Sequence, residues 1–322
     1  MALRCHPCRV RLRNAVTPVA YAGAVIRRTL TFDEPLDLRL TLRPLRHGGG
    51  DPTIRLAPRS ACRATTTPEG PATVVSSVAP PSVEVEGWGP GASLALEHAP
   101  EVLGLHDDHS TFRPDDPVVR ALHRRLRGLR VGRSGAVVES IVPAILEQKV
   151  TSEEAHRSYR ALVTAYGEPA PGAFGLRLPP CPRTLASLPY HAFHRFGIER
   201  RRADTIRRAC SYAHRLEECG SLPAEAARRR LLALPGVGPW TAAVVAGAAL
   251  GDPDAVIVGD LHLPRLVGWT LAGEPEAGDD RMIELLAPYS GHRARVVRLV
   301  VAGGARPPAR YPRRRLRSIA SI

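Results

Sequence analysis

The stretch Leu234-Pro235-Gly236-Val237-Gly238-Pro239-Trp240-Thr241-Ala242 constrains this chain more than any other. Apolar residues at helical spacing flank it, predicting helices over residues 222–234 and 239–250. Between them there is room only for a tight, glycine-bearing turn. Glycine lets the backbone bend sharply and approach another chain closely, and Pro239 suits the first position of a helix. The start of that helix leaves backbone N–H groups unpaired. Together with the helix dipole, such groups favour a phosphate oxygen. The turn is thus a candidate clamp for a nucleic-acid backbone, through the N–H groups of Gly236, Gly238 and Trp240.

The charge agrees with a polyanionic partner. Against 31 acidic residues stand 45 basic ones, for a net charge of +14, a balance that favours nucleic acid. Lys149 is the only lysine. The Arg-, Ala-, Gly- and Pro-rich composition fits a GC-rich genome, which explains arginine in place of lysine but not the excess of basic over acidic residues. The 322 residues suffice for about two domains. A charged fraction of 24% excludes global disorder. No run of apolar residues is long enough for a membrane helix, and a soluble cytoplasmic protein is expected. The six cysteines are too scattered for a disulfide scaffold. Cys5 and Cys8 form a CxxC with no second pair, so no metal site is expected. The mildly apolar residues 15–26 are broken by Pro18 and Gly23, which argues against a signal peptide.

Along the chain, the first third reads as β. Leu36, Leu38, Leu40 and Leu42 alternate with polar residues, predicting a half-buried strand. Further short strands are expected over 53–56, 73–78, 82–86 and 93–97, in an antiparallel sheet. The remainder reads as α. Helices are expected over 117–127, 140–166, 204–215, 261–271 and 279–301, besides the two at the turn. The expected organisation is α+β: an N-terminal antiparallel β-sheet domain (1–110), a helical region (111–305) and a basic Pro/Arg-rich tail (306–322).

A second landmark follows the turn. After Gly251-Asp252-Pro253 comes the apolar run Val256-Ile257-Val258 and then Gly259-Asp260-Leu261. Leu-Pro-Gly-Val-Gly resembles the helix-hairpin-helix of the DNA glycosylase superfamily, in which an aspartate follows about two dozen residues later. Asp260 stands at that spacing. The bifunctional branch carries a catalytic lysine two residues past the second hairpin glycine, where this chain has Trp240. The chain therefore resembles the monofunctional 3-methyladenine DNA glycosylase II branch. Residues 145–151, Ile-Leu-Glu-Gln-Lys-Val-Thr, resemble that branch's helix-end segment, whose side chains fill the gap left by a flipped nucleotide.

The resemblance implies an all-helical glycosylase domain and excision of alkylated bases, of the 3-methyladenine and 7-methylguanine type, from damaged duplex DNA by a monomer. Asp260 would stabilise the cationic sugar that forms as an N-glycosidic bond breaks. Trp240 and Tyr289 would line the base pocket, since aromatic faces attract cationic bases. Gln148 and Lys149 would enter the duplex, although the branch carries an apolar wedge where this chain has Lys149. Val244 and Leu261 occupy positions where relatives carry aromatics. A monovalent cation on hairpin carbonyls is implied, with no required cofactor. The iron–sulfur cluster of other branches needs four cysteines after the aspartate, and no cysteine follows Cys219.

Bland readings stand beside these. Asp260 would also serve as an N-cap for the helix after it. Trp240 and Tyr289 would also serve as core aromatics, and the arginines of 200–208 as a solvated face. Excision of deaminated bases such as hypoxanthine, or noncatalytic DNA binding by the hairpin, are the alternative functions. A lyase would need an amine, which only Lys149 or the N-terminus supplies.

Overall fold

The computed structural model describes residues 25–308. Cys5, Cys8 and nearly all of the basic tail lie outside the described residues. Five strands, β1 (Ile26–Thr31), β2 (Ile54–Leu56), β3 (Ser60–Thr67), β4 (Gly70–Ala79) and β5 (Ser82–Trp88), form one antiparallel sheet in the order β1-β5-β4-β3-β2. Three short helices accompany it: α1 (Leu38–Thr41), α2 (Ala92–Glu97) and α3 (Ala99–Val102). The rest is mostly helical: α4 (Pro117–Arg125), α5 (Val137–Leu146), α6 (Ser152–Tyr166), α7 (Pro182–Ser187), α8 (Tyr190–His194), α9 (Arg200–Ser211), α10 (Ala213–Glu217), α11 (Ala224–Leu232), α12 (Pro239–Val245), α13 (Leu263–Ala272), α14 (Asp279–Leu286) and α15 (Arg293–Gly303). The α+β reading holds. No described helix is long and apolar enough to cross a membrane.

Two predicted strands are helices. Residues 36–42 turn through α1 because Asp37 caps it, its Oδ1 accepting from the Leu40 N–H at 2.9 Å. The leucines then serve two cores. Leu36, Leu38 and Leu42 join the cluster under the sheet, whereas Leu40 packs against the cluster of C-terminal helices. A strand would have put all four on one face. Residues 93–97 fall in α2, where the helix propensity of alanine and leucine outweighs a short alternation. A Cβ on Gly87 would lie 2.5 Å from Leu96 Cδ1, so this glycine lets α2 sit on β5. Strands β1 and β3 escape sequence reading because their residues are defined by their partners rather than by an apolar alternation of their own.

Two long predicted helices are each broken in two. Pro288 and Gly291 separate α14 from α15. Residues 140–166 divide at 147–151, and Thr151 restarts the chain as α6 through a capping box with Glu154. The break matters, because it carries Gln148 and Lys149. Helix α5 is almost wholly buried. Its N-terminus receives the carboxylate of Glu217, which accepts from Val137 N–H and Val138 N–H, both at 2.9 Å. Glu139 on the same helix ties it to the sheet by accepting from Arg63, Thr65 and the Thr66 N–H.

Candidate active site

The hairpin is built by packing on both sides of the turn. Leu234 and Val237 are buried in the cluster formed by α5, α6, α9, α11 and α12. The Val237 N–H closes the turn on Leu234 O at 2.9 Å. Gly236 has φ +96°, and a Cβ there would lie 2.4 Å from Thr205 Oγ1 of α9. Gly236 is therefore required by the turn and by the close approach of α9. Gly238 differs. Its φ of −98° suits any residue, and a Cβ would meet nothing within 4 Å. The space beside Gly238 opens outward from the start of α12, whose first N–H groups have no partner within the helix.

Two side chains fasten the turn. Gln148 Nε2 donates to Gly236 O at 3.0 Å and to Thr241 Oγ1 at 2.8 Å. Arg208 donates to Pro235 O at 2.8 Å. The sequence placed Gln148 at the duplex; the structure engages its amide in the hairpin. Arg208 sat within an arginine run with no assigned role, and nothing in the sequence marks it, because its partner lies on another element.

Lys149 is exposed and has φ +58°, the only non-glycine residue with positive φ among the described residues. A left-handed lysine is strained. Its neighbours hold the conformation. Buried Arg202 donates to Leu146 O at 2.8 Å. Glu147 Oε1 lies 3.6 Å from His156 Nε2 and 4.0 Å from His47 Nδ1. Burial lowers the pKa of His47. The capping box of Thr151 closes the segment.

Asp260 lies where two packing clusters meet. Its Oδ1 accepts from His262 N–H and Leu263 N–H, both at 2.8 Å, and so caps α13. Its Oδ2 accepts from Trp240 Nε1 at 3.2 Å. Trp240 packs on the hairpin cluster, and Leu263 belongs to the C-terminal cluster. The capping and catalytic readings of Asp260 are thus compatible: one oxygen caps, and the other faces the tryptophan. Gly259, just before it, donates its N–H to Asp279 Oδ2 at 2.9 Å. Leu261, just after it, is 77% exposed.

Tyr289 packs in the C-terminal cluster, with its ring centroid 6.3 Å from that of Phe112. Burial, with Asp116 and Asp115 nearby, raises its hydroxyl pKa to about 12. Phe112 is a residue that sequence reasoning missed, since only the fold brings it to Tyr289. His292 shares a hydrogen bond with Thr111 Oγ1 at 2.8 Å. His262 enters through its backbone, as a donor to Asp260. Among the described residues no cluster of His, Cys, Asp or Glu is arranged to hold a metal ion.

The model of the HhH-GPD superfamily base excision DNA repair proteins matches residues 142–288, which include the Gln148–Lys149 segment, the hairpin and Asp260. A probable bifunctional transcriptional activator/DNA repair enzyme AlkA from Mycobacterium tuberculosis is 37% identical over 153 residues, 46% of this chain and 30% of that protein. The chain thus spans under a third of the length of the curated relatives it matches. Among solved structures, a 3-methyladenine DNA glycosylase from Archaeoglobus fulgidus superposes with a TM-score of 0.72 at 21% identity, covering 85% of this chain and 97% of that one. The apo form of an 8-oxoguanine glycosylase/lyase from Clostridium acetobutylicum superposes at 0.66 with 13% identity, covering 87% and 98%. Both share the fold. With the hairpin, the spacing and the capped aspartate in place, residues 142–288 of the chain are similar to the HhH-GPD superfamily base excision DNA repair proteins.

Proposed function

We propose that this chain is a monofunctional DNA glycosylase that releases alkylated bases, of the 3-methyladenine and 7-methylguanine type, from duplex DNA. The observation that carries the reading is the Asp260 carboxylate, fixed by two backbone N–H groups and the Trp240 indole beside the hairpin. Capping α13 occupies only Oδ1, and a purely DNA-binding hairpin has no use for a second carboxylate oxygen held by Trp240.

The duplex backbone lies over the open side of Gly238, against the first N–H groups of α12. The damaged nucleotide leaves the stack at a cost of a few kcal/mol, less than for an intact base. Lys149 enters the gap, its backbone held by the fastened residues around it. Gln148 acts from behind, tying the wedge to the hairpin. Asp260 stands by C1′ and stabilises the oxocarbenium-like sugar as the glycosidic bond breaks, after which water adds at C1′. The alkylated purine is already cationic, so it departs neutral without a general acid. The Trp240 ring favours the cationic base by about 0.5–2 kcal/mol, and Tyr289, which packs near Phe112 in the C-terminal cluster, is the second aromatic assigned to the base. Leu261 and Val244 make the pocket less aromatic than in relatives. One copy carries hairpin, wedge and carboxylate, so a monomer suffices for the reaction.

A monovalent cation at the hairpin fits only in part. The Pro235 and Gly236 carbonyls already accept from Arg208 and Gln148, which leaves an ion their second lone pairs and the other turn carbonyls. No step depends on it.

The two glycines separate folding from binding. Gly236→Ala clashes with Thr205 and forces alanine into a left-handed backbone, with an expected loss of roughly 1–3 kcal/mol, read in thermal unfolding. Gly238→Ala folds normally, yet its methyl group stands in the phosphate's path, so duplex affinity falls while the melting temperature holds.

The proposed activity is tested on a duplex carrying one 7-methylguanine or 3-methyladenine. Free base is measured by mass spectrometry, and strand breaks are scored with and without alkali. Base release with breaks only after alkali supports the reading. Release of hypoxanthine alone would move the specificity to deaminated bases, and tight binding with no release of any base would leave a noncatalytic binder.

A further inference from the structure

We propose that Lys149 captures the product of the reaction, its amine forming a reversible imine with C1′ of the abasic sugar. The inference rests on the proposed function only in placing Lys149 in the duplex gap.

Every other residue of the lysine–arginine class is arginine. A guanidinium cannot shed its proton under ordinary conditions and does not add to aldehydes, whereas an amine does both. The single amine-bearing side chain sits at the one described non-glycine position with positive φ, exposed between fastened neighbours. Arg202 holds the carbonyl of Leu146, and Gln148 holds Gly236 and Thr241. Thr241 follows Trp240, which bonds Asp260. The segment presenting the amine is therefore linked to the candidate catalytic carboxylate through two side-chain hydrogen bonds and one peptide step.

Base release gives this linkage a chemical use. A deoxyribose that has lost its base carries a hydroxyl at C1′ and opens to an aldehyde. It no longer has a base to anchor it in the pocket, so it is free to swing back toward the gap occupied by Lys149. The lysine ammonium gives one proton to solvent. Its nitrogen lone pair forms a bond to C1′, the carbonyl oxygen takes up a proton, and the carbinolamine so formed loses water to give the imine. Hydrolysis reverses each step and returns the free amine and the aldehyde with the DNA strand whole. No oxidant or reductant takes part. The effect is to retain a reactive product until it is handed on.

The test uses the full-length protein and a duplex with one abasic site made beforehand by enzymatic removal of uracil. Sodium borohydride reduces any imine to a stable secondary amine, and the linked peptide is identified by mass spectrometry. The expected result is a protein–DNA adduct on Lys149, lost in Lys149→Arg. No adduct in the wild type, an adduct confined to the N-terminal amine, or undiminished trapping in Lys149→Arg would overturn the inference. The preformed site bypasses base release. An adduct on Lys149 with no release of methylated bases would thus uphold the inference and sink the proposed function, and the converse pair of results would do the reverse.

Discussion

Asp260→Asn is expected to lower single-turnover base release by about 10²–10³-fold, the size of effect seen when one electrostatic stabiliser of a transition state is removed, while duplex affinity stays near wild type. The geometry makes this substitution informative. An asparagine oxygen can still accept from His262 N–H and Leu263 N–H, so the start of α13 remains capped. Its amide nitrogen then faces Trp240 Nε1 where a carboxylate oxygen accepted, and two donors oppose each other. The negative charge is lost and the fold is kept. Asp260→Ala removes the cap as well, at about 1 kcal/mol of stability, so its loss of activity is harder to assign. An Asp260→Asn enzyme releasing base at the wild-type rate would leave Asp260 as a capping residue only.

The second large effect concerns Glu217. Burial outweighs its two backbone hydrogen bonds and raises its carboxyl pKa to about 7, from an ordinary value near 4.5. The folded protein then holds a proton on Glu217 that the unfolded chain has released between about pH 4.5 and pH 7. Its contribution is therefore most favourable below the unfolded value and is lost as pH rises through about 7, by up to about 3 kcal/mol. Glu217→Gln resembles the protonated acid and should flatten this part of the profile. Thermal unfolding from pH 5 to pH 8 is expected to show the wild type losing stability while the variant stays level, from a lower start at pH 5 because its amide nitrogen opposes one of the two backbone N–H groups. Parallel profiles would show that Glu217 is ionised throughout. The consequence reaches the site, since α5 runs from Glu217 at its start to Gln148 and Lys149 just past its end.

How much of this was legible in the sequence depended on how local each cause is. The hairpin and Asp260 could be read because their requirements lie within one stretch of chain: a glycine at positive φ, a proline at a helix start, an aspartate two residues before the first N–H it caps. The capping box of Thr151 and Glu154 was equally local, yet a continuous helix was expected over it, because apolar spacing runs on through the break. Leu36–Leu42 misled for a different reason. Its alternation is real, but Asp37 caps a turn that sends Leu40 to one core and its neighbours to another. The fastening of the site was out of reach. Gln148 meets Gly236, Arg208 meets Pro235 and Phe112 meets Tyr289 only once α5, α9 and the C-terminal helices have packed. The left-handed backbone of Lys149 has no sequence signature at all.

The central claim is that Asp260, steadied by Trp240, favours positive charge at the sugar. The most direct measurement compares two duplexes, each with an abasic analogue at one position: a pyrrolidine, cationic where the transition state is cationic, and a neutral tetrahydrofuran of the same shape. The account predicts that the wild type binds the pyrrolidine duplex at least roughly tenfold more tightly, about 1.4 kcal/mol, and that Asp260→Asn loses the preference while keeping its affinity for the neutral duplex. Equal binding of the two by the wild type would contradict it.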